Sequence, residues 1–237
     1  MQRYKKDDNF SYALGTELTL ELLKQHPLEV VRVYVHSKQN DNAIFQQIKS
    51  IACKYNIEMV YADKPFNILS DKNNCYIMGL FRKYETDFDG KKSHLVLVNP
   101  SNMGNLGTII RTSIGFGINN LAIIRPAVDI YDPKCIRSSM GAFFELNFKY
   151  FDSFNDYLSY ASLREIFPFM LDGAKQLENI SIPEVYSLVF GNEATGLPND
   201  FHQYGQSVFI KHLNTIDSLN LTNAVSIGLY QFTLGKI

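Results

Sequence analysis

The stretch HLVLVNPSNMGNLGTIIRTSIGFG, residues 94–117, decides how the chain is read. It opens on a short continuous apolar run, HLVLVNP (94–100), which predicts a buried strand. A loop of Asn, Ser and Gly follows, and a helix is expected from about Gly104 to Gly117. A buried strand, a tight polar loop and a helix in that order begin an α/β unit with a largely parallel sheet.

The pattern repeats toward the C-terminus. LAIIRP (121–126) is the next strand, a short helix is expected over Pro133 to Met140, and LNFKYF (146–151) is extended. Residues 154–165 read as helix, FPFMLDG (167–173) and YSLVFGN (186–192) as strands, SVFIKH (207–212) as extended chain, and 217–234 as the final helix. Ligands on parallel sheets sit beyond the carboxyl ends of strands. That rule singles out three strand ends: NPSNMGNLG, GNEATGLPND and KHLNTIDSLN. All three are rich in residues that permit tight turns and close backbone approach.

Toward the N-terminus, TELTLELLKQH (16–26) carries leucines at helical spacing, with Thr16 as the expected cap and Pro27 beyond the end. LEVVRVYVHS (28–37), IEMVYA (57–62) and CYIMGLF (75–81) read as strands, and Asp41 to Tyr55 as an amphipathic helix, giving a small α/β sandwich. The polar stretch YETDFDGKKS (84–93) separates the two patterned regions, so domains are expected over 1–90 and 91–237.

Composition narrows the function. With 46% hydrophobic and 20% charged residues the chain is expected to be an ordinary globular protein, and no apolar run approaches the roughly 20 residues of a membrane span. MQRYKKDDNFSY lacks the apolar core of a secretory signal. Cys53, Cys75 and Cys135 are widely spaced, which predicts free thiols in a reducing cytoplasm and neither a zinc site nor a disulfide framework. Net charge is −1, so any nucleic-acid surface must be a local patch. The glycines at 104, 107, 115 and 117 do not form GxGxxG, and there is no phosphate-loop, HExxH or GxSxG motif.

Individual residues have two readings each. Arg111 is either a solvated helix residue or a guanidinium aimed at a phosphate or carboxylate in the strand-end cleft. Glu193 is either a loop carboxylate or part of the site, and Ser218-Leu219-Asn220 is either a helix start capped by Asp217 or Ser218, or part of a ligand loop.

Together the three loops resemble the three signatures of the SpoU/TrmH family of the SPOUT superfamily of RNA 2′-O-ribose methyltransferases. PSNMGNLGTIIRTSIGFG is similar to the first, with Asn102, Gly104, Arg111, Phe116 and Gly117 in place. LVFGNEATGLPND is similar to the second through Gly191, Glu193 and Gly196, and FIKHLNTIDSLNLTNAVSIGLYQF to the third through Ile210, Ser218, Leu219 and Asn220. SSMGAFFEL (138–146) resembles the family's serine–glycine–alanine stretch. The match covers residues 95–234, and its order and spacing make it specific. The chain departs from the pattern at Asn99, where an aspartate is common, at Lys211 and His212 in place of Pro-Met, and at Asn214 in place of Gly.

The resemblance implies a trefoil-knotted C-terminal domain, a homodimer with the active site at its interface, and S-adenosyl-L-methionine as cofactor. It implies cofactor contacts from Gly191, Asn192, Gly196, Ile210 and Leu219, and catalytic or positioning roles for Arg111, Asn102, Glu193, Ser218 and Asn220. A guanidinium has a pKa above roughly 12, so Arg111 is expected to act as a fixed cation beside the developing alkoxide more than as a base. The N-terminal region resembles the ribosomal-protein-like accessory domain of many members, which favours ribosomal RNA over tRNA, and guanosine by family habit. Arg3, Lys5, Lys6, Arg125, Lys134 and Arg137 are candidate phosphate contacts. No metal or membrane partner is expected. The rival readings are a non-catalytic RNA-binding protein on the same fold and a nucleotide-binding enzyme of another α/β class; retention of Asn102, Arg111, Glu193 and the SLN triplet argues against the first, the missing phosphate loop against the second.

Overall fold

The computed structural model describes residues 3–69, 75–161, 163–213 and 215–235. The chain forms two compact units, one of Met1–Glu85 with Asp129–Glu145, the other of Thr86–Val128 with Leu146–Ile237.

The first unit is a four-stranded mixed sheet with helices. Its elements are β1 (Phe10–Leu14), α1 (Thr16–Gln25), β2 (Val30–Val35), α2 (Ala43–Lys54), β3 (Glu58–Tyr61), α3 (Lys64–Leu69) and β4 (Ile77–Arg82), with strand order β1-β4-β2-β3. The pair β2–β3 is parallel, and β4 runs antiparallel to both β1 and β2. The sequence reading misses β1 and α3. It also places the α1 cap one residue late: Gly15 is the cap, and it makes no side-chain cap hydrogen bond. Its φ of 125° is a conformation that favours glycine, which is why the cap falls there. Asn42 caps α2 by accepting from the Phe45 N–H at 2.9 Å.

The second unit carries the parallel sheet expected from the sequence. β5 (His94–Val98) leads through the first loop to α4 (Met103–Gly115) and then β6 (Asn120–Ile124). The chain gives α5 (Pro133–Ser138) to the first unit, where it packs against β1, and returns as β7 (Asn147–Phe151). Then come α6 (Phe154–Tyr160), β8 (Glu165–Pro168), β9 (Lys175–Gln176), β10 (Tyr186–Phe190), β11 (Val208–Phe209) and α7 (Leu221–Thr233). The order is β7-β6-β5-β10-β8, every neighbouring pair parallel. Strands β5, β6 and β10 are buried almost throughout, as the central strands of a parallel sheet must be. β8 begins two residues before the expected strand and ends at Pro168, while β11 is only two residues long and pairs with β9. The final helix starts at Leu221, not 217, because Asn220 is its cap.

The second unit's core holds a polar chain. His94 is fully buried, its Nε2 is 2.9 Å from the Asp89 carbonyl oxygen and its Nδ1 is 2.8 Å from the Tyr157 hydroxyl. A carbonyl only accepts, so Nε2 carries the proton, Nδ1 accepts from Tyr157, and Ser187 Oγ donates to Tyr157 at 2.5 Å. Burial, with a smaller push from the Arg164 charge and against the hydrogen bond and charge of Asp89, lowers the His94 pKa to about 4, so the ring is neutral near neutral pH.

Candidate active site at the strand ends

The loops after β5 and β10 meet at Glu193. Its carboxylate accepts from the Ser101 N–H (3.0 Å) and Oγ (2.7 Å), the Asn102 N–H (3.1 Å) and Asn105 Nδ2 (3.3 Å). Burial pushes this carboxyl toward neutrality, but the hydrogen bonds outweigh it and hold the pKa below the ordinary value. The Asn102 side chain caps α4 by accepting from the Asn105 N–H at 3.0 Å. Asn192 Nδ2 donates to the Asn99 carbonyl at 2.8 Å, a second tie between the two loops. Asn99 sits at φ 53°, a left-handed conformation that asparagine tolerates.

The second loop is closed on itself. Asn192 and Gly196 exchange two backbone hydrogen bonds, 2.9 and 3.2 Å, and Asn192 Oδ1 accepts from the Ala194 and Thr195 N–H groups. Gly196 turns at φ 66°. A Cβ on Gly191 would lie 2.1 Å from the Gly196 carbonyl carbon, so residue 191 has to be glycine for the loop to close.

Beside this loop lies a cleft of about 370 Å³, within the range of small-molecule sites. Its apolar wall includes Phe169, Phe190, Leu197, Val208, Leu221 and Ala224. Of the residues singled out by sequence, Gly191, Asn192, Glu193, Gly196, Ile210, Ser218 and Leu219 all line it. Asn102 and Asn220 do not: both are helix caps, Asn220 accepting from the Thr222 N–H at 2.9 Å and Oγ1 at 2.7 Å. Arg111 is exposed on α4, outside the cleft, and has no ion-pair partner among the described residues. Of the departures, His212 lines the cleft with its Nδ1–H on the Ile210 carbonyl at 2.8 Å, and Asn214 lies outside the described residues. Sequence reasoning missed Ser101 and Asn105 as partners of Glu193, and Phe169, Phe190 and Asp172 as lining residues. The Ser and Asn of the first loop were a usable signal; the lining residues became neighbours only through folding.

The cleft suits S-adenosylmethionine. An apolar wall that includes Phe169 and Phe190 suits the adenine, the glycine-closed loop offers backbone groups at close range, and the Asp172 carboxylate suits a cationic ligand end.

The SpoU rRNA Methylase family model matches residues 92–230. The chain belongs to this family. Among its relatives, the 23S rRNA (uridine(2479)-2′-O)-methyltransferase of Streptomyces viridochromogenes is 30% identical over 146 residues, 58% of this chain and 51% of that protein. The match thus spans about half the length of that relative. The structure of the SpoU methyltransferase AviRb from the same organism, in complex with the cofactor AdoMet, shares the fold, with a TM-score of 0.81, 19% identity, 95% coverage of this chain and 89% of that one. A solved structure giving insights into the 2-OH methylation of C/U34 on tRNA matches at 28% identity and TM-score 0.57, covering 61% of this chain and 95% of that chain. Among the described residues no helix is long and apolar enough to cross a membrane, and no cluster of His, Cys, Asp and Glu could hold a metal.

Proposed function

We propose that this protein methylates a ribose 2′-hydroxyl in RNA, with S-adenosylmethionine as the methyl source. The observation that carries this reading is the convergence of the second and third signature loops on one cleft, with the first loop fastened to its rim through Glu193. Family membership and the AdoMet complex of the AviRb relative agree with it.

The cofactor supplies an electrophilic methyl group when bound. Gly191, Asn192, Gly196, Ile210 and Leu219, which line the cleft, would hold it, and Ser218 would orient its methionine end or the ribose. Glu193 fixes the first loop, and Asn102, capping α4, sets the axis on which Arg111 is carried. Asn220 sets the start of α7 and so the position of Leu219. Arg111 would meet the ribose oxygen as a fixed cation, stabilising the charge that develops there as the hydroxyl proton passes to solvent water and the oxygen takes the methyl group.

Arg111 does not line the cleft of its own chain, which supports a homodimer in which one subunit's arginine serves its partner's cleft. The exposed stripe of α7 and its C-cap, Ile227 at 39%, Tyr230 at 55% and Leu234 at 57% exposure, is an apolar face suited to that contact. The reading includes a trefoil knot in the second unit. Its support is the family membership; segments 166–173 and 205–208 lie side by side in that region, joined by the parallel bridge of Phe169 and Val208. The first unit grips RNA, ribosomal RNA before tRNA: a solved AdoMet-bound rRNA methyltransferase from Sinorhizobium meliloti covers 94% of this chain, whereas the tRNA-related structure, matched over 95% of its own length, covers 61%.

The test is incubation with methyl-labelled S-adenosylmethionine and unmodified rRNA or tRNA, followed by nucleoside analysis. A labelled 2′-O-methylnucleoside from one RNA class is expected. No label in either RNA and no cofactor binding overturns the reading in favour of a non-catalytic RNA-binding protein.

A further inference from the structure

The first unit has a cleft of its own, about 200 Å³, which brings together chain segments far apart in sequence. Arg3 and Tyr4 come from the N-terminal segment, Tyr12 from β1, and Asp132, Lys134 and Arg137 from the segment that carries α5. Leu14 and Leu69 complete an apolar wall.

Three cations face one carboxylate here, in a chain whose net charge is −1. The carboxylate is occupied, since Asp132 Oδ1 accepts from the Lys134 N–H at 2.7 Å. Arg3, Lys134 and Arg137 form no ion pair among the described residues. By contrast Arg125, another candidate phosphate contact, is taken up by Asp152 at 3.1 Å and lies over the Tyr150 ring. Tyr4 is held in place: its hydroxyl donates to Asp129, and Lys83 Nζ lies 4.9 Å from its ring centre. Free cations beside fixed aromatic rings are the pairing that single-stranded nucleic acid selects, phosphate on the cations and a base on the rings. A cleft of this size admits one unpaired base and excludes a duplex.

We propose that this cleft captures one unpaired nucleotide of an RNA strand, its base against Tyr4 and Leu69 and its phosphates at Arg3, Lys134 and Arg137. The inference rests on the proposed function for the identity of the polymer and deepens it. It gives the first unit a single-strand anchor assembled from two separated segments.

The test uses the full chain and a short, unstructured, fluorescein-labelled oligoribonucleotide, followed by anisotropy across a salt series. K134Q/R137Q removes two cleft cations, and K38Q/K54Q removes two exposed cations outside the cleft. Losing the cleft pair is expected to weaken binding by about tenfold and to lower the salt slope by roughly 1.4, with the control pair near wild type. Equal losses in both variants, or none in the cleft variant, overturn the proposal and leave the proposed function untouched. Absence of binding by wild type overturns it as well. S-adenosylmethionine titration of the same three proteins then separates the two readings: unchanged cofactor affinity keeps the methyltransferase reading, and no affinity in any of them removes it.

Discussion

Glu193 Oε2 accepts from both the backbone N–H and the hydroxyl of Ser101, a residue 92 positions earlier, at 3.0 and 2.7 Å. This paired contact fastens the loop after β10 to the loop that starts α4. Glu193→Ala leaves four donors of the first loop without their acceptor, and a lost hydrogen bond to a charged group costs about 1–3 kcal/mol. The expected result is a loss of roughly 2–3 kcal/mol in urea unfolding, with Ser101→Ala losing about 1 kcal/mol. An unchanged midpoint for Glu193→Ala removes the carboxylate from its fastening role.

Gly191→Ala tests the cleft wall. The added Cβ would lie 2.1 Å from a backbone carbon and cannot be accommodated by moving a side chain. Overpacking of this kind costs about 1–3 kcal/mol, and opening the loop disrupts the wall. Calorimetric titration should show cofactor affinity reduced at least about tenfold, as expected for a loss of 1.4 kcal/mol or more. Wild-type affinity would mean that the closed loop is not part of the cofactor site.

Arg111→Ala is expected to abolish methyl transfer with cofactor affinity nearly intact. Its exposure predicts a stability change within about 0.5 kcal/mol. Loss of cofactor binding in this variant refutes the assignment of Arg111 to the hydroxyl.

Placing a charge on the α7 stripe, as in Tyr230→Asp, should convert the proposed dimer into a monomer in sedimentation and suppress transfer with it. A dimer that survives this change places its interface elsewhere.

Buried His94 makes stability depend on pH. Its pKa is lowered from 6.5 to about 4 in the folded chain, so the unfolded chain binds more protons between those values. The contribution is therefore full above pH 6.5 and is lost as pH falls from 6.5 toward 4. The shift corresponds to roughly 3 kcal/mol at most. Unfolding free energies across this window should fall for the wild type and flatten for His94→Gln. Parallel curves would assign the acid sensitivity to other groups.

How far the sequence could be read depended on the range of the interactions. The parallel sheet was legible because β5, β6 and β10 are short apolar runs separated by helical patterns, and burial on both faces demands that composition. The site loops were legible because tight closure needs Gly, Asn and Ser whatever lies around them. β1 was missed because FSYAL carries little pattern by itself and is a strand through its pairing with β4. Arg111 is a further limit, since its helical spacing says nothing about which cleft it reaches.

By itself the sequence determined the alternation of strands and helices, the three signature loops and so the family, because local periodicity and turn chemistry are properties of short segments. Only the tertiary structure decided that Glu193 fastens Ser101 and that α5 joins β1 in the first unit. It also decided that Arg3, Lys134 and Arg137 share a cleft. Each of these joins residues far apart along the chain, and such contacts are set by how whole elements pack, which no local pattern encodes.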